Sequence, residues 1–169
     1  MHFQELIRAR YSVRAYISDP VDEATLERIL EAGRLAPTAA NRQGFGIIVV
    51  HTKGREEELG RVYGRAWFTQ APLVLAVCAL PEEAWRHGDG TSMAMVDAAI
   101  VMDHLILAAA DEGLGTCWIA HFDKAAARES FGLPEGVEPV VLTPLGHPAD
   151  SLKTKKRKPL EDLVHREQW

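Results

Sequence analysis

The chain has 169 residues, 47% apolar and 25% charged, enough for one domain (residues 1–169) with its own buried core. A formal net charge of -5 argues against the basic footprint of a nucleic-acid binder. Met1-His2-Phe3-Gln4-Glu5 has neither a basic n-region nor a long apolar run, so a cytoplasmic protein without a membrane partner is expected. No internal repeat or low-complexity tract interrupts it.

Phe3 to Ile7 reads as a short helix that delivers Arg10-Tyr11-Ser12-Val13-Arg14. Ser18-Asp19-Pro20 breaks the chain, and Asp22 is placed to cap a second helix. Leu26, Ile29, Leu30 and Gly33 form one face of that helix, which Pro37 ends. The loop Pro37-Thr38-Ala39-Ala40-Asn41-Arg42-Gln43-Gly44 then leads into an Ile/Val-rich strand, Phe45 to His51. A charged helix over roughly 54–65 precedes a second apolar strand, Leu73 to Leu80. Pro81 to Gly90, with Trp85 and His87, reads as an irregular loop.

Thr91 or Ser92 starts the longest element, running to about Glu112 and apolar nearly all round. Asp97, Asp103, His104 and Asp111 make a membrane span costly, so the pattern predicts a buried helix at the seam of a homodimer. Gly113-Leu114-Gly115 feeds a third strand, Thr116 to His121. Asp123 caps a short helix ending near Gly132, and a fourth strand covers Val137 to Leu145. A basic tail, Lys153 to Lys158, precedes a last short helix, Leu160 to about Arg166. Strands interleaved with helices give an α+β or α/β class, and the tail is expected to add an edge strand across a partner subunit. Cys78 and Cys117 lie in apolar runs, which predicts buried free thiols in a reducing compartment.

Several chemistries find no motif. Gly113-Leu114-Gly115-Thr116-Cys117-Trp118 lacks the third glycine of a dinucleotide fingerprint and precedes a strand. P-loop, G-x-S-x-G and H-E-x-x-H patterns are absent, Ser12 has no base beside it, and the histidines show no metal-ligand spacing, so no metal is expected. Arg10 and Arg14, four apart, share a side in helical or extended chain. They make either a solvated surface pair or, with Ser12, an anion site of forked donors. Asn41 and Gln43 in the loop offer donor and acceptor together. That suits a planar heterocycle, or equally an ordinary helix-to-strand turn.

Four blocks carry a resemblance. Ile7 to Arg14, Ala36 to Gln43, Gly113 to Ile119 and Lys155 to Leu160, in that order, are similar to the FMN-dependent nitroreductase family. The resemblance spans nearly the whole chain. It implies an α+β nitroreductase-like fold, a central mostly antiparallel sheet flanked by helices. It also implies an intertwined homodimer around a long buried central helix, with a tail from about 148 to 169 reaching across. FMN would bind between the subunits. Arg10 and Ser12, with Lys155 and Arg157, would grip the ribityl phosphate, and Arg14 would stand at the N1–C2 carbonyl edge. Pro37, Thr38 and Asn41, with neighbouring Ala39 and Gln43, would come from the other subunit. Trp118 and Ile119 would cover one ring face, with the Ala120 backbone N–H near N5. Tyr11 belongs to the same cofactor-binding set.

Five positions depart from the family pattern. Tyr11 stands where a second arginine is frequent, Thr38 replaces a common serine, Gly44-Phe45 replaces Pro-Trp, and Ala120 stands where longer members have a carboxylate. The implied activity is ping-pong hydride transfer from NADH or NADPH, through FMN, to an electron-poor acceptor such as a nitroaromatic or quinone. The alternatives are a flavin enzyme of other chemistry (reductive dehalogenation, oxidation or flavin breakdown) and a dimeric flavin-binding protein without turnover. His121 and His87 are candidate proton donors or merely satisfied polar groups. Trp85 and Trp67 are pocket-lining or core residues.

Overall fold

The computed structural model describes residues 2–169. In chain order these form α1 (Phe3–Ala9), β1 (Tyr16–Ile17), α2 (Glu23–Arg34), β2 (Phe45–His51), α3 (Glu56–Val62), β3 (Leu73–Ala79), α4 (Ala94–Asp111), β4 (Gly115–Thr116), α5 (Lys124–Ser130) and β5 (Glu138–Pro148). Short 3-10 turns occupy Ala39–Asn41, Ala66–Phe68 and Leu160–Asp162. The sheet runs β1-β5-β3-β2 with β4 also on β5, and every pairing between strands is antiparallel. The class is α+β.

β3, Leu-Val-Leu-Ala-Val-Cys-Ala, is buried at every position because the sheet is covered on both faces. Strand side chains alternate between faces. Leu73, Leu75 and Val77 pack with Leu26 and Ile29 of α2 and with Val101, Met102 and Leu105 of α4. Val74 and Ala76 pack on the other side with Leu59, Val62, Phe68 and Ala127. A strand wanted by two cores has no place for a polar residue, so its sequence is uniformly apolar. Cys78 lies within it, and both cysteines are free and buried. Burial pushes the Cys78 thiol up to about 11 and raises Cys117 as well.

Two caps follow the sequence reading. Asp22 accepts from the Thr25 N–H and Asp123 from the Ala126 N–H, each at 2.9 Å. Gly33 lets α2 close on α4: a Cβ there would lie 2.7 Å from Leu105 Cδ2. α4 itself buries Ala98, Val101, Met102, Leu105 and Ala109, while Met95 and Val96 stay open on its other side. No helix among the described residues is long and apolar enough to cross a membrane.

Three elements differ from the sequence reading. The third strand shrinks to Gly115–Thr116, because the Cys117 N–H donates to the Thr143 hydroxyl (3.0 Å) in place of a backbone carbonyl. Pairing resumes only at an Ile119–Leu142 bridge. β1 pairs Tyr16 with Pro148 and Ile17 with His147, a partner too distant in sequence for local pattern to indicate. The last helix is a single 3-10 turn, Leu160–Asp162, and the tail contains no strand among the described residues.

Phe68 is fully buried in the cluster on the α3–α5 side of the sheet, away from the N-terminal segment. Phe68→Ala is expected to lower the unfolding free energy by about 3–5 kcal/mol. A fall in the urea midpoint with an unchanged m-value is the measurement that checks it.

Candidate functional site

α1 ends at Ala9, and Arg10 turns the chain to extended geometry (φ -55°, ψ 130°). Val13 is then pinned inward: it is 1% exposed, its N–H donates to Thr116 O at 2.9 Å, and Ser12 bridges Thr116. With an odd position buried, Arg10, Ser12 and Arg14 fall on the opposite side. That side forms one wall of a cavity of about 220 Å³. Tyr11, Asp150, Ser151, Lys153, Lys155 and Arg157 complete it. The fold therefore brings Arg10, Tyr11, Ser12, Arg14, Lys155 and Arg157 to one place.

The two ends of the chain are laced together here. The Tyr11 hydroxyl donates to the Asp150 carbonyl at 2.8 Å, and the Arg14 N–H donates to Asp150 Oδ2 at 2.9 Å. The Ala149 N–H reaches Ala15 O at 2.8 Å. Burial, followed by the Asp150 charge, raises the Tyr11 phenol, which keeps it a donor. Lys155 Nζ donates to the Ile7 and Arg8 carbonyls at the end of α1, groups that a helix leaves unpaired. Desolvation, then the charges of Arg10 and Arg157, lower the Lys155 ammonium from its ordinary range.

Five cations and one carboxylate line the cavity, with hydroxyls from Ser12 and Ser151. That donor set suits a dianionic phosphate: forked guanidinium groups, ammonium groups and neutral O–H donors around one volume. The residues fit the phosphate end of FMN. The cavity is smaller than the roughly 300–1,000 Å³ usual for a whole ligand.

The remaining sequence candidates lie elsewhere in this chain. Pro37, Thr38, Ala39, Asn41 and Gln43 form a separate exposed loop with positive φ at Ala40 (50°), Asn41 (53°) and Gln43 (54°). Thr38 Oγ1 accepts from the Gln43 N–H at 3.0 Å, and buried Asp97 accepts from the Ala39 N–H at 2.9 Å. Trp118 is exposed and adjoins Met95, Val96 and Ile100 of α4 in a shallow apolar depression. The Ile119 side chain is buried in the core, and its N–H and C=O both pair with Leu142. Ala120 and His121 are exposed beside it. His87 is exposed and meets Trp85 edge-on, ring centroids 4.6 Å apart. Trp67 packs against the α3–α5 cluster. No group of three or more metal-ligating side chains converges among the described residues.

Sequence reasoning missed Asp150 and Asp97 as structural members. Asp97 was legible as a charge in an apolar helix, which must find a partner if buried. Asp150 had no such signal, since its partners Tyr11 and Arg14 lie more than 130 residues away.

Comparison with known proteins identifies the family. A sequence profile described as the nitroreductase family matches residues 7–64 and 56–147. The "FMN reductase [NAD(P)H]" of Bacillus subtilis is 30% identical over 94% of this chain and 70% of its own length. A "NADH dehydrogenase" of Thermus thermophilus is 30% identical over 92% of this chain and 91% of its own. Among solved structures, a nitroreductase family protein from Clostridium difficile superposes with a TM-score of 0.92 at 33% identity, covering 100% of both chains. Nitroreductase A from Vibrio parahaemolyticus gives 0.87 at 26% identity over 98% of this chain and 76% of its own. With the profile matched across most of its length and the same fold over its whole extent, this chain belongs to the nitroreductase family.

Proposed function

We propose that this enzyme is a cytoplasmic FMN-dependent NAD(P)H oxidoreductase, acting on an electron-poor acceptor such as a nitroaromatic or quinone. The observation that carries the reading is the cationic cavity between residues 10–14 and the tail, set in a nitroreductase fold. FMN, when bound, supplies a carrier that takes hydride from a nicotinamide and returns two electrons to a second substrate. Arg10, Ser12, Lys155 and Arg157 hold its phosphate by charge-assisted hydrogen bonds. Arg14 has a backbone tied to Asp150 and an exposed guanidinium. It supplies a cation for negative charge that builds in the site on reduction.

The rest of the site comes from a second copy of the chain. Two features support a homodimer: the open apolar side of α4 with Met95, Val96 and Trp118, and the exposed apolar residues of the tail, Leu152, Leu160, Leu163, Val164 and Trp169. A single copy leaves them in water, and a dimer seam removes them from it. In that assembly the Thr38–Gln43 loop of one copy faces the cavity of the other, with Asn41 offering its amide and Gln43, whose Nε2 donates to the Asn41 carbonyl at 3.3 Å, its amide oxygen. No protein proton donor is assigned.

Purified protein, as isolated or after incubation with FMN and removal of the excess, is expected to show the visible absorption of an oxidised flavin. Anaerobic NADH or NADPH is expected to bleach it; absence of the band would refute the flavin reading. Arg157→Ala is expected to weaken FMN binding about tenfold or more, by loss of a charge-assisted pair. Flavin fluorescence titration checks this, and an unchanged affinity would place the phosphate elsewhere. Light scattering at micromolar concentration is expected to find a dimer, and Val96→Asp to shift it toward monomer with loss of retained flavin.

A further inference from the structure

One residue of the cationic cavity has the wrong charge for an anion site. Asp150 lines it together with Arg10, Arg14, Lys155 and Arg157. By charge alone it opposes a phosphate, so its presence calls for another account.

Its contacts give one. Oδ2 accepts the Arg14 N–H at 2.9 Å, and its carbonyl accepts the Tyr11 hydroxyl at 2.8 Å. Oδ1 is shut away from solvent without a hydrogen-bond partner among the described residues, so one carboxylate oxygen does the tethering. Asp150 stands where β5 has ended and the tail begins. From 151 to 158 no backbone–backbone hydrogen bond ties the tail to the body among the described residues. Lys155 is the one residue of that stretch that is not exposed, and it reaches back to α1. Meanwhile the tail carries its cations toward Arg10 and Arg14, and like charges gathered in one cavity repel. Desolvation first, and then the charges of Arg10 and Arg157, lower the Lys155 ammonium. Something must hold the tail in place before the anion arrives.

We propose that Asp150 is a positioning residue for the cofactor, clamping the tail onto Arg14 and Tyr11 so that Lys155 and Arg157 meet Arg10 and Ser12 around one phosphate. This rests on the reading that the cavity takes the phosphate of FMN. Its negative charge is incidental to the role, and its acceptor oxygens are essential to it. A cage assembled in advance binds more tightly than one that must be gathered against repulsion.

Charge and position predict opposite signs, which makes the test direct. Asp150→Ala and Asp150→Asn are compared with wild type, after flavin removal, in titrations with FMN, riboflavin and inorganic phosphate. Tryptic cleavage within 153–158 is followed at saturating FMN. Asp150→Ala is expected to bind FMN and phosphate about tenfold or more weakly, with the tail cut several-fold faster. Asp150→Asn keeps an amide oxygen for the Arg14 N–H, and is expected to bind at least as tightly as wild type. Riboflavin, which lacks the phosphate, is expected to bind all three proteins alike; a matching loss of riboflavin would mean general damage to the site and overturn the proposal. Asp150→Ala binding FMN as tightly as wild type, or Asp150→Asn failing with it, would also overturn it. Wild type that binds phosphate but not FMN would remove the flavin reading, and the clamp would then be judged on phosphate alone.

Discussion

The pairing of β5 with three strands is the constraint on which the rest depends. Its Val141 to Leu145 stretch completes the core beside β3, while Gly146 to Pro148 pair with β4 and β1. The same strand that closes the hydrophobic interior thereby draws residues 10–17 against residues 147–150. Gly146 permits the closure, since a Cβ there would lie 2.5 Å from Pro72 Cδ. The cationic cavity is a by-product of that registration. Neither end of the chain makes it alone, and shifting β5 by one residue would exchange the faces its core residues fill and separate the two walls.

Local signals made most of the scaffold legible. The apolar face of α2, its Asp22 cap, the Ile/Val run of β2 and the length of α4 all report interactions within a few residues. Arg10 and Arg14 were legible as sharing a side, in helical or extended chain alike. What stayed hidden depends on distant partners. β1 is two residues long and exists because His147 and Pro148 lie opposite it. The early end of the third strand follows from the Thr143 hydroxyl, which a pattern reader counts merely as a β-branched strand residue. The inward turn of Ile119 follows from the same departure.

The Thr38–Gln43 loop shows how strain is stored outside the core. Left-handed geometry at Ala40, Asn41 and Gln43 costs of the order of 1–3 kcal/mol at each non-glycine position. It persists because Thr38 Oγ1 and the Asp97 carboxylate each claim a backbone N–H of the loop. Asp97 does this from the first turn of α4, where a carboxylate also meets the positive end of the helix dipole. A glycine-rich loop would relieve the strain and lose the set of the Asn41 and Gln43 side chains.

The sulfur chemistry of the chain bears on the acceptors proposed for it. Quinones and partly reduced nitro compounds are electrophiles that consume accessible thiolates. With its thiol held at about 11, Cys78 remains protonated at neutral pH inside a strand that has no open face. Cys117 is buried and raised in the same way. Neither cysteine therefore offers an accessible thiolate to an electrophile of that kind.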